Sequence, residues 1–276
     1  MSEWAVANHI VQINDESGFV QVVDETTLTA LQQGVETSYR IRETDFLWTA
    51  AVAVSTGTFR CRVFSATESR YLDTNPVRSE NFWGTAQEPM RHPPKFLPLN
   101  GELTFKFDDT SGAGNVVALY LWGKRANTCG RETCARDCRC DRARWGQGRG
   151  LFVMHTPGAG VVIPASSGTS SVLKVPDYYH VRATIQNGFG TSDSFKWQLS
   201  RMDPRDERRA SPSNAQQRRL ASLGTATKPA RLPSPIILHK GSQAELDWSD
   251  QSGSANTAHL ALIGETLDDE LVRQNG

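Results

Sequence analysis

Residues 101–123 read GELTFKFDDTSGAGNVVALYLWG, and residues 242–264 repeat the same pattern as SQAELDWSDQSGSANTAHLALIG, 141 positions later. The shared positions are turn-forming and alternating apolar residues: Asp109, Ser111, Gly112, Asn115, Leu119, Leu121 and Gly123 in the first segment, and Asp250, Ser252, Gly253, Asn256, Leu260, Leu262 and Gly264 in the second. Self-similarity at a fixed spacing is the mark of an internal duplication. The segment therefore predicts two domains of one kind.

A second block recurs at almost the same spacing. Gly84-Thr85-Ala86 returns 140 positions later as Gly224-Thr225-Ala226. The matching continues through Pro89, Arg91 and Pro93 in the first copy and Pro229, Arg231 and Pro233 in the second. Because only one residue of slippage separates the two blocks, they belong to one duplicated unit.

Each repeat has the pattern of β-strands joined by a polar turn. Apolar residues alternate through Leu103, Phe105 and Phe107, and again after the turn of residues 108–115, which indicates a hairpin. Further strands are predicted at 39–42, 47–54 and 58–64 in the first repeat, and at 172–175, 180–185 and 194–199 in the second. The predicted fold class is all-β, with two tandem β-sandwich domains of jelly-roll type.

The predicted domain boundaries follow from the repeat. Residues 1–125 form the first β-sandwich unit with an N-terminal arm, 126–150 a Cys/Arg-rich linker, and 151–276 the second unit with an acidic C-terminal tail. Each unit contains a long proline-rich connection, at 65–96 and 200–235. Such a connection is either an arm that contacts a partner or an ordered surface crossover.

Composition restricts the function classes. The 276 residues carry 30 basic and 30 acidic side chains, so no net field attracts nucleic acid or an anionic membrane. No stretch approaches the about 18 apolar residues of a membrane-spanning helix, and the sequence after Met1 lacks the pattern of a secretory signal. We expect a soluble chain made in a cytosol, with no membrane partner.

Four of the five cysteines lie close together in the predicted linker, at Cys129, Cys134, Cys138 and Cys140. Four thiolates suit one tetrahedral zinc ion, although the spacing lacks the paired C-x2-C knuckles of typical zinc sites. Two disulfides or free thiols are the alternatives, and disulfides would form if the protein, assembled in a reducing cytosol, ends in an oxidising exterior. Cys61 lies on an alternating strand and is expected to be a packing residue.

The predicted linker is also basic. Eight basic and three acidic residues occur between Lys124 and Gly150. This spread matches no known nucleic-acid reading pattern, so a solvated or partner-facing loop is expected and nucleic acid is not.

Catalysis finds little support in the sequence. No G-x-S-x-G, H-E-x-x-H or P-loop motif occurs, and the six histidines are scattered: His9, His92, His155, His180, His239 and His259. Asp108 and Asp109 suggest Ca²⁺, but caps on the backbone of their own turn are the favoured explanation, since the second repeat has Ser249 and Asp250 there. A sugar platform is the alternative for a set of five tryptophans, but core packing is the simpler explanation: Trp48, Trp83, Trp122, Trp197 and Trp248.

The segments 97–123 and 236–264 resemble the small β-sandwich units of structural proteins in tailed-bacteriophage virions. The resemblance lies in Leu-x-x-Asn-Gly-Glu-Leu-x-Phe-x-Phe from Leu97, a polar turn with Ser-Gly and Asn, and a Leu-x-Leu-x-Gly strand. It implies a non-enzymatic component of the capsid exterior, neck or tail that contacts copies of itself and other virion proteins. The virion would be assembled in the host cytoplasm. The Cys-rich segment has no counterpart in such units.

Two other functions remain open. A carbohydrate- or receptor-binding adhesin would bind a glycan through exposed aromatic rings and turn carboxylates. Exposed, coplanar rings of Trp83 and Trp145 would favour the adhesin, whereas buried rings would favour a scaffold. An enzyme ranks third.

We predict that the four-cysteine cluster forms a closed staple, because a loop rich in Arg and Gly has little apolar area to hold itself together. Metal analysis of the purified chain should find about one zinc with sulfur at about 2.3 Å. Loss of stability under reductant, with none under chelator, would instead identify disulfides. If the chain contains neither zinc nor a sulfur–sulfur bond, the predicted staple is wrong.

Overall fold

The computed structural model describes residues 18–127, 140–146, 149–191, 195–201, 218–219 and 223–268. The chain divides into two compact units. The first ends at Leu72 and resumes from Trp83 to Gly150, whereas the second comprises Asp73–Phe82 and continues from Leu151. Strands dominate both units, which confirms the predicted all-β fold class.

The first unit contains two antiparallel sheets. The strands of one are β1 (Phe19–Leu28), β3 (Phe46–Ser55), β7 (Met90–Leu97) and β9 (Asn115–Arg125), in the order β1-β9-β3-β7. The strands of the other are β2 (Val35–Arg40), β4 (Phe59–Ser65), β5 (Arg70–Tyr71) and β8 (Glu102–Asp109), in the order β2-β8-β4-β5. A short helix, α2 (Asp141–Trp145), follows them in the chain.

The second unit repeats this arrangement. One sheet contains β10 (Gly150–His155), β13 (His180–Gly190), β16 (Ala230–Leu238) and β18 (Asn256–Leu267), in the order β10-β18-β13-β16, with β11 (Val161–Ile163) also paired to β18. The other contains β12 (Gly168–Lys174), β14 (Phe195–Arg201), β15 (Arg218–Arg219) and β17 (Gln243–Asp250), in the order β12-β17-β14-β15. The segment 73–82 adds β6 (Val77–Arg78) and α1 (Ser79–Phe82).

Both units have the same topology. If each unit's eight strands are numbered along the chain, with β10 and β11 counted as one and β6 left out, the sheets read 1-8-3-6 and 2-7-4-5 in both copies. Sequential strands therefore lie in opposite sheets except the fourth and fifth, which pair within one sheet, as in a jelly roll. The predicted tandem jelly-roll domains and their origin in an internal duplication are confirmed.

Alternating apolar residues build each core. In the first unit Phe105 and Phe107 of β8 are buried and pack with Phe59 of the paired strand β4. In the second unit Trp248 of β17 is buried against Phe195 of β14. Successive strand residues point to opposite faces, so the intervening polar residues face away from the core.

The predicted hairpin at residues 101–123 is wrong in its pairing. Both strands exist, but β8 pairs with β2 and β4, whereas β9 pairs with β1 and β3. The turn between them carries the chain from one sheet to the other. Alternation shows that each strand has one buried face, but it does not show which neighbour supplies the hydrogen bonds.

The crossing turns are equivalent in atomic detail. Asp109 accepts hydrogen bonds from Ser111 Oγ at 2.7 Å and from Gly112 N at 3.1 Å, and Asp250 accepts them from Ser252 Oγ at 2.6 Å and Gly253 N at 2.9 Å. Gly112 and Gly253 both have φ of 76°, a left-handed conformation that favours glycine. The predicted equivalence of these two turns is confirmed.

The second repeated block forms another equivalent turn. Thr85 N donates to Glu88 O at 3.1 Å, and its counterpart Thr225 N donates to Lys228 O at 3.1 Å. Gly84 bridges to Val52 and Gly224 bridges to Asn187, each in parallel orientation. The one-residue difference in offset between the two blocks therefore does not disturb the shared geometry.

The proline-rich connections contain more regular structure than the sequence indicated. Pro93 and Pro94 lie within β7, and Pro233 and Pro235 lie within β16. Both are edge strands, and the ladder shifts register beside these prolines. Edge strands with bulges accept residues that lack an N–H. The segments 65–96 and 200–235 are therefore not free arms throughout.

The division of the chain also differs from the expected boundaries in one respect. Residues 73–82 belong to the second unit, although they precede β7, β8 and β9 of the first. The expected start of the second unit at residue 151 coincides with the observed division. The separate linker domain at 126–150 stays a prediction.

The turn carboxylates predict a specific acid sensitivity. Burial alone raises the pKa of Asp109, but hydrogen bonds from Ser111, Leu31 and Gly112 together lower it. The hydrogen bond from Ser252, with those from backbone N–H groups, lowers the pKa of Asp250 to about 2. An unfolded Asp titrates near about 3.9, so this stabilisation is complete above about pH 4 and is lost as the pH falls towards 2.

We expect Asp109→Asn to lower the free energy of unfolding by about 1–3 kcal/mol at pH 7, because an amide NH₂ faces N–H donors. Asp250→Asn should flatten the loss of stability between pH 4 and pH 2. Urea unfolding measured across this range is the test. Asp24→Asn, at an exposed carboxylate of β1, is the control and should change neither. Equal effects at positions 24 and 109 would contradict the capping role.

Candidate assembly surfaces

The structure describes one of the four predicted staple cysteines. Cys140 is buried, and its Sγ accepts a hydrogen bond from Ala143 N at 3.4 Å, which caps α2. Cys129, Cys134 and Cys138 lie outside the described residues, so the staple stays a prediction. Within the described ranges no group of three or more His, Cys, Asp or Glu side chains is placed to hold a metal ion.

The ends of the cysteine segment are joined to each other. Asn127 N donates to Asp141 Oδ2 at 2.9 Å, and Asp141 N donates to Asn127 O at 2.8 Å. Arg142 lies 3.7 Å from Asp45 and over the ring of Phe96, both in the first unit. Residues 127 and 141 are therefore held together within the first unit.

The aromatic residues proposed as a sugar platform do not form one. Trp83 is 5% exposed and stacks against Trp48 at 6.2 Å between ring centroids, and Trp48 is fully buried. Trp197 and Trp248 are also buried in the second core. Trp122, the fifth ring of the expected platform, is partly exposed. Core packing, the simpler interpretation, holds for the other four. Trp145, outside this set, is half-buried, with the guanidinium of Arg144 over its ring.

The Ca²⁺ interpretation of Asp109 also fails. Its carboxylate accepts hydrogen bonds from three backbone N–H groups and one hydroxyl, so both oxygens already have donors. Asp108 accepts from Gly34 N and pairs with Arg60 at 3.2 Å. These carboxylates cap and join loops of the first unit.

The segment 73–82 is held within the second unit by a buried polar cluster. His155 Nδ1 donates to Thr156 O at 2.6 Å, so its Nε2 accepts from Asn81 Nδ2 at 2.8 Å. Asn187 Nδ2 donates to Asn81 O at 2.9 Å, and all three polar side chains are fully buried. Buried polar groups of this kind stabilise one geometry because each needs its partner. Sequence analysis missed this cluster, since its members lie far apart in the chain.

The outer faces of the two equivalent sheets differ. On the sheet that contains β9, Ala118 and Trp122 are partly exposed and pack beside Tyr120. Val22, paired with Tyr120, is 45% exposed. The counterparts on β18 are His259, Ala261 and Ile263, and none is more than 5% exposed. The first unit therefore retains a partly exposed apolar face, here called the outer face, where the second unit has a covered one.

Ala86 joins this outer face to the proline-rich connection. It packs with Val52 and Tyr120, and its neighbours Thr85, Gln87 and Glu88 are exposed. The exposed part of the connection is thus a tight turn beside the outer face. Partly exposed apolar side chains next to an exposed turn are typical of a contact surface.

The histidines are less scattered than the sequence suggested. The rings of His155 and His259 lie 6.1 Å apart, and the Nδ1 atoms of His180 and His239 lie 3.2 Å apart. Both pairs occur in the second unit. The sequence carried no signal for the second pair, since His180 begins the predicted strand 180–185 but no predicted strand adjoins His239.

In the described part of the chain no helix is long and apolar enough to cross a membrane. No protein-family model matches the sequence. No curated protein matches it either.

Several solved structures have a similar fold. The chain aligns with the STIV MCP at 10% identity and a TM-score of 0.46, covering 93% of this chain and 98% of that one. It aligns with the major capsid protein P2 from bacteriophage PM2 at 9% identity and a TM-score of 0.38, covering 91% and 99%. For PBCV-1 VP54 the identity is 9%, the TM-score 0.35, and the coverage 91% and 94%. These values are too low to assign a function.

A buried lysine in the first unit gives a testable pH dependence. Lys95 is 1% exposed, and its ammonium contacts Glu68 at 2.6 Å and donates to Arg149 O at 3.1 Å. Burial lowers the pKa of Lys95 to about 8, although the Glu68 carboxylate raises it. An unfolded Lys titrates near about 10.4, so the unfolded chain binds more protons between these values and stability rises from about pH 8 to pH 10.4.

We expect Lys95→Met to abolish this rise, because methionine has no proton to release between about pH 8 and pH 10.4. Glu68 keeps its contact with Arg70 at 2.7 Å in the variant. Urea unfolding of both proteins from pH 7 to pH 10.5 provides the measurement. Lys124→Met, at an exposed lysine of β9, is the matched control. The same pH slope in wild type and Lys95→Met would contradict the assignment.

Proposed function

We infer that this chain is a non-enzymatic structural component of a virus particle and contributes to its capsid. The observation that carries the proposal is the tandem pair of jelly rolls, with one strand order and one turn geometry in both copies. Eight-stranded jelly rolls occur in viral capsid proteins, and also in lectins and cupins. Because a fold hosts several functions, the surfaces must narrow the choice.

The duplication itself suits an assembly. Two equivalent sandwiches in one chain offer related surfaces, and symmetric assemblies are built by repeating such contacts. Rigid sheets hold these surfaces in fixed positions on each unit. The sequence resemblance to tailed-bacteriophage units implies that the chain lies in the capsid exterior, the neck or the tail of the particle. We favour the capsid, because the strand order is that of a complete jelly roll in each unit.

The partners we propose are further copies of this chain and other proteins of the particle, assembled in the cytoplasm of the host. The contact surface is the outer face of the first unit with the adjoining turn of residues 85–88. Its partly exposed valine, alanine and tryptophan side chains gain from burial, at about 25 cal/mol per Å². The corresponding face of the second unit is already buried within the chain. We propose that another copy of the chain buries the outer face of the first unit.

The adhesin alternative loses its main support, because Trp83 is buried in the core rather than exposed on a platform. His155 and Asn187 are buried, and both form hydrogen bonds with Asn81. Their role is therefore structural. A scaffold therefore accounts for the aromatic and polar clusters without a ligand.

Self-association of the purified chain tests the proposal. We expect a concentration-dependent oligomer with an interface of at least about 1,000 Å². Val22→Lys should weaken the association at least about tenfold, because a charge on the outer face would be desolvated. Sedimentation velocity over a concentration series gives the constants.

The control is Val172→Lys. Val172 of β12 is 43% exposed, nearly the same as Val22, but lies on the other kind of sheet in the second unit. It should leave association unchanged. A chain that stays monomeric at all concentrations, together with its absence from purified particles in a cryo-EM map, would overturn the proposed function.

A further inference from the structure

Two histidines meet at one end of a sheet in the second unit. His180 is the first residue of β13, and His239 directly follows the last residue of β16. Val181 and Leu238 are paired across these antiparallel strands, so the two histidines are the next cross-strand neighbours. Their Nδ1 atoms lie 3.2 Å apart, and the rings are nearly perpendicular, with centroids 5.2 Å apart.

This separation is that of two ligands of one metal ion. Zinc binds imidazole nitrogen at about 2.0–2.1 Å in tetrahedral geometry, which places two ligand nitrogens about 3.3–3.4 Å apart. The observed Nδ1 separation of 3.2 Å is close to this value, so the ion needs a turn of the rings that aims both lone pairs at it rather than a displacement of the strands. We propose that His180 and His239 form a binding site for a divalent transition-metal ion, with water completing the coordination.

The backbone around the site holds both rings in place. His239 O accepts hydrogen bonds from Ser242 N and Ser242 Oγ, and Gly241 N donates to Pro176 O at 3.1 Å. His180 is 8% exposed, so its rotamers are restricted, whereas His239 is half-exposed and open to water. The accessible ring of His239 gives the ion a path from solvent, and the buried ring of His180 has a fixed orientation.

The protonation states are compatible with metal binding. Lys240 N–H approaches His180 Nδ1 at 3.4 Å, which places a lone pair on that nitrogen. His239 Nδ1 then carries the shared proton. When the ion binds, it replaces both hydrogen bonds at His180 Nδ1, and the proton of His239 Nδ1 moves through solvent to His239 Nε2, so both Nδ1 atoms become ligands with no net change in protons.

The donor set determines the class of ion. Imidazole nitrogen suits Zn²⁺, Cu²⁺ and Ni²⁺, whereas Mg²⁺ and Ca²⁺ prefer oxygen ligands. The positive charge of Lys240 beside the site opposes binding. A bound ion would link edge strand β16 to β13, which is the only strand that β16 pairs with among the described residues.

Calorimetric titration of the full chain with Ni²⁺ at pH 7.5 tests the site. We expect wild type to bind one more equivalent than His239→Asn, which keeps a polar group beside His180 but supplies a poor ligand. Comparing the two proteins removes any contribution from the cysteine segment, because both contain it unchanged. Lys240→Ala is the matched control and should keep the extra equivalent with equal or higher affinity.

Hydrogen exchange gives a second readout. Ni²⁺ should slow exchange of the amides of residues 236–238 in wild type and leave them unchanged in His239→Asn. If His239→Asn does not fold, as judged by circular dichroism, His239→Ala replaces it. Equal stoichiometry in wild type and the histidine variant would overturn the metal site. The result does not depend on whether the chain belongs to a virus particle.

Discussion

A single aspartate in each unit fixes the passages of the chain between its two sheets. Asp109 is the last residue of β8, which lies in one sheet, and leads into the turn to β9, which lies in the other. The same carboxylate accepts from Leu31 N at 2.9 Å, in the connection from β1 to β2, which also changes sheets. Asp250 does the same through Ser166 N at 2.9 Å. One carboxylate thus ties two crossings together at the same end of each sandwich.

This constraint explains why the sequence showed the duplication so clearly. The crossing residues that recur in both copies, Asp109, Ser111, Gly112 and Asn115, have little freedom, since each satisfies a backbone group or supplies a left-handed turn. Leu31 and Ser166 are both left-handed and lie at equivalent places, yet they share no side-chain type. The backbone conformation is repeated at these two positions although their residue types differ. Comparison of the two repeats by sequence therefore does not show that the positions are equivalent.

Fold class, repeat and core positions were predictable from the sequence, because alternation and turn chemistry act over short distances. Strand pairing was not, as the mistaken hairpin at residues 101–123 shows. The buried cluster of Asn81, His155 and Asn187 depends on contacts between distant parts of the chain. The prolines of β7 were misjudged for a related reason, since only the three-dimensional order of strands shows that β7 is an edge.

The two units differ most where their sheets face away from the core. Inner positions keep their apolar character, as in Leu119 and Leu260, both almost fully buried. On the outer side Ala118 corresponds to His259, and Val52 corresponds to Asn187. The second unit thereby acquired polar groups that hold the segment 73–82, and the first kept an apolar face. Because the core needs only the inner pattern, the outer faces were free to differ: the second contacts a segment of its own chain, and the first is the surface for which we propose a contact with a neighbouring chain.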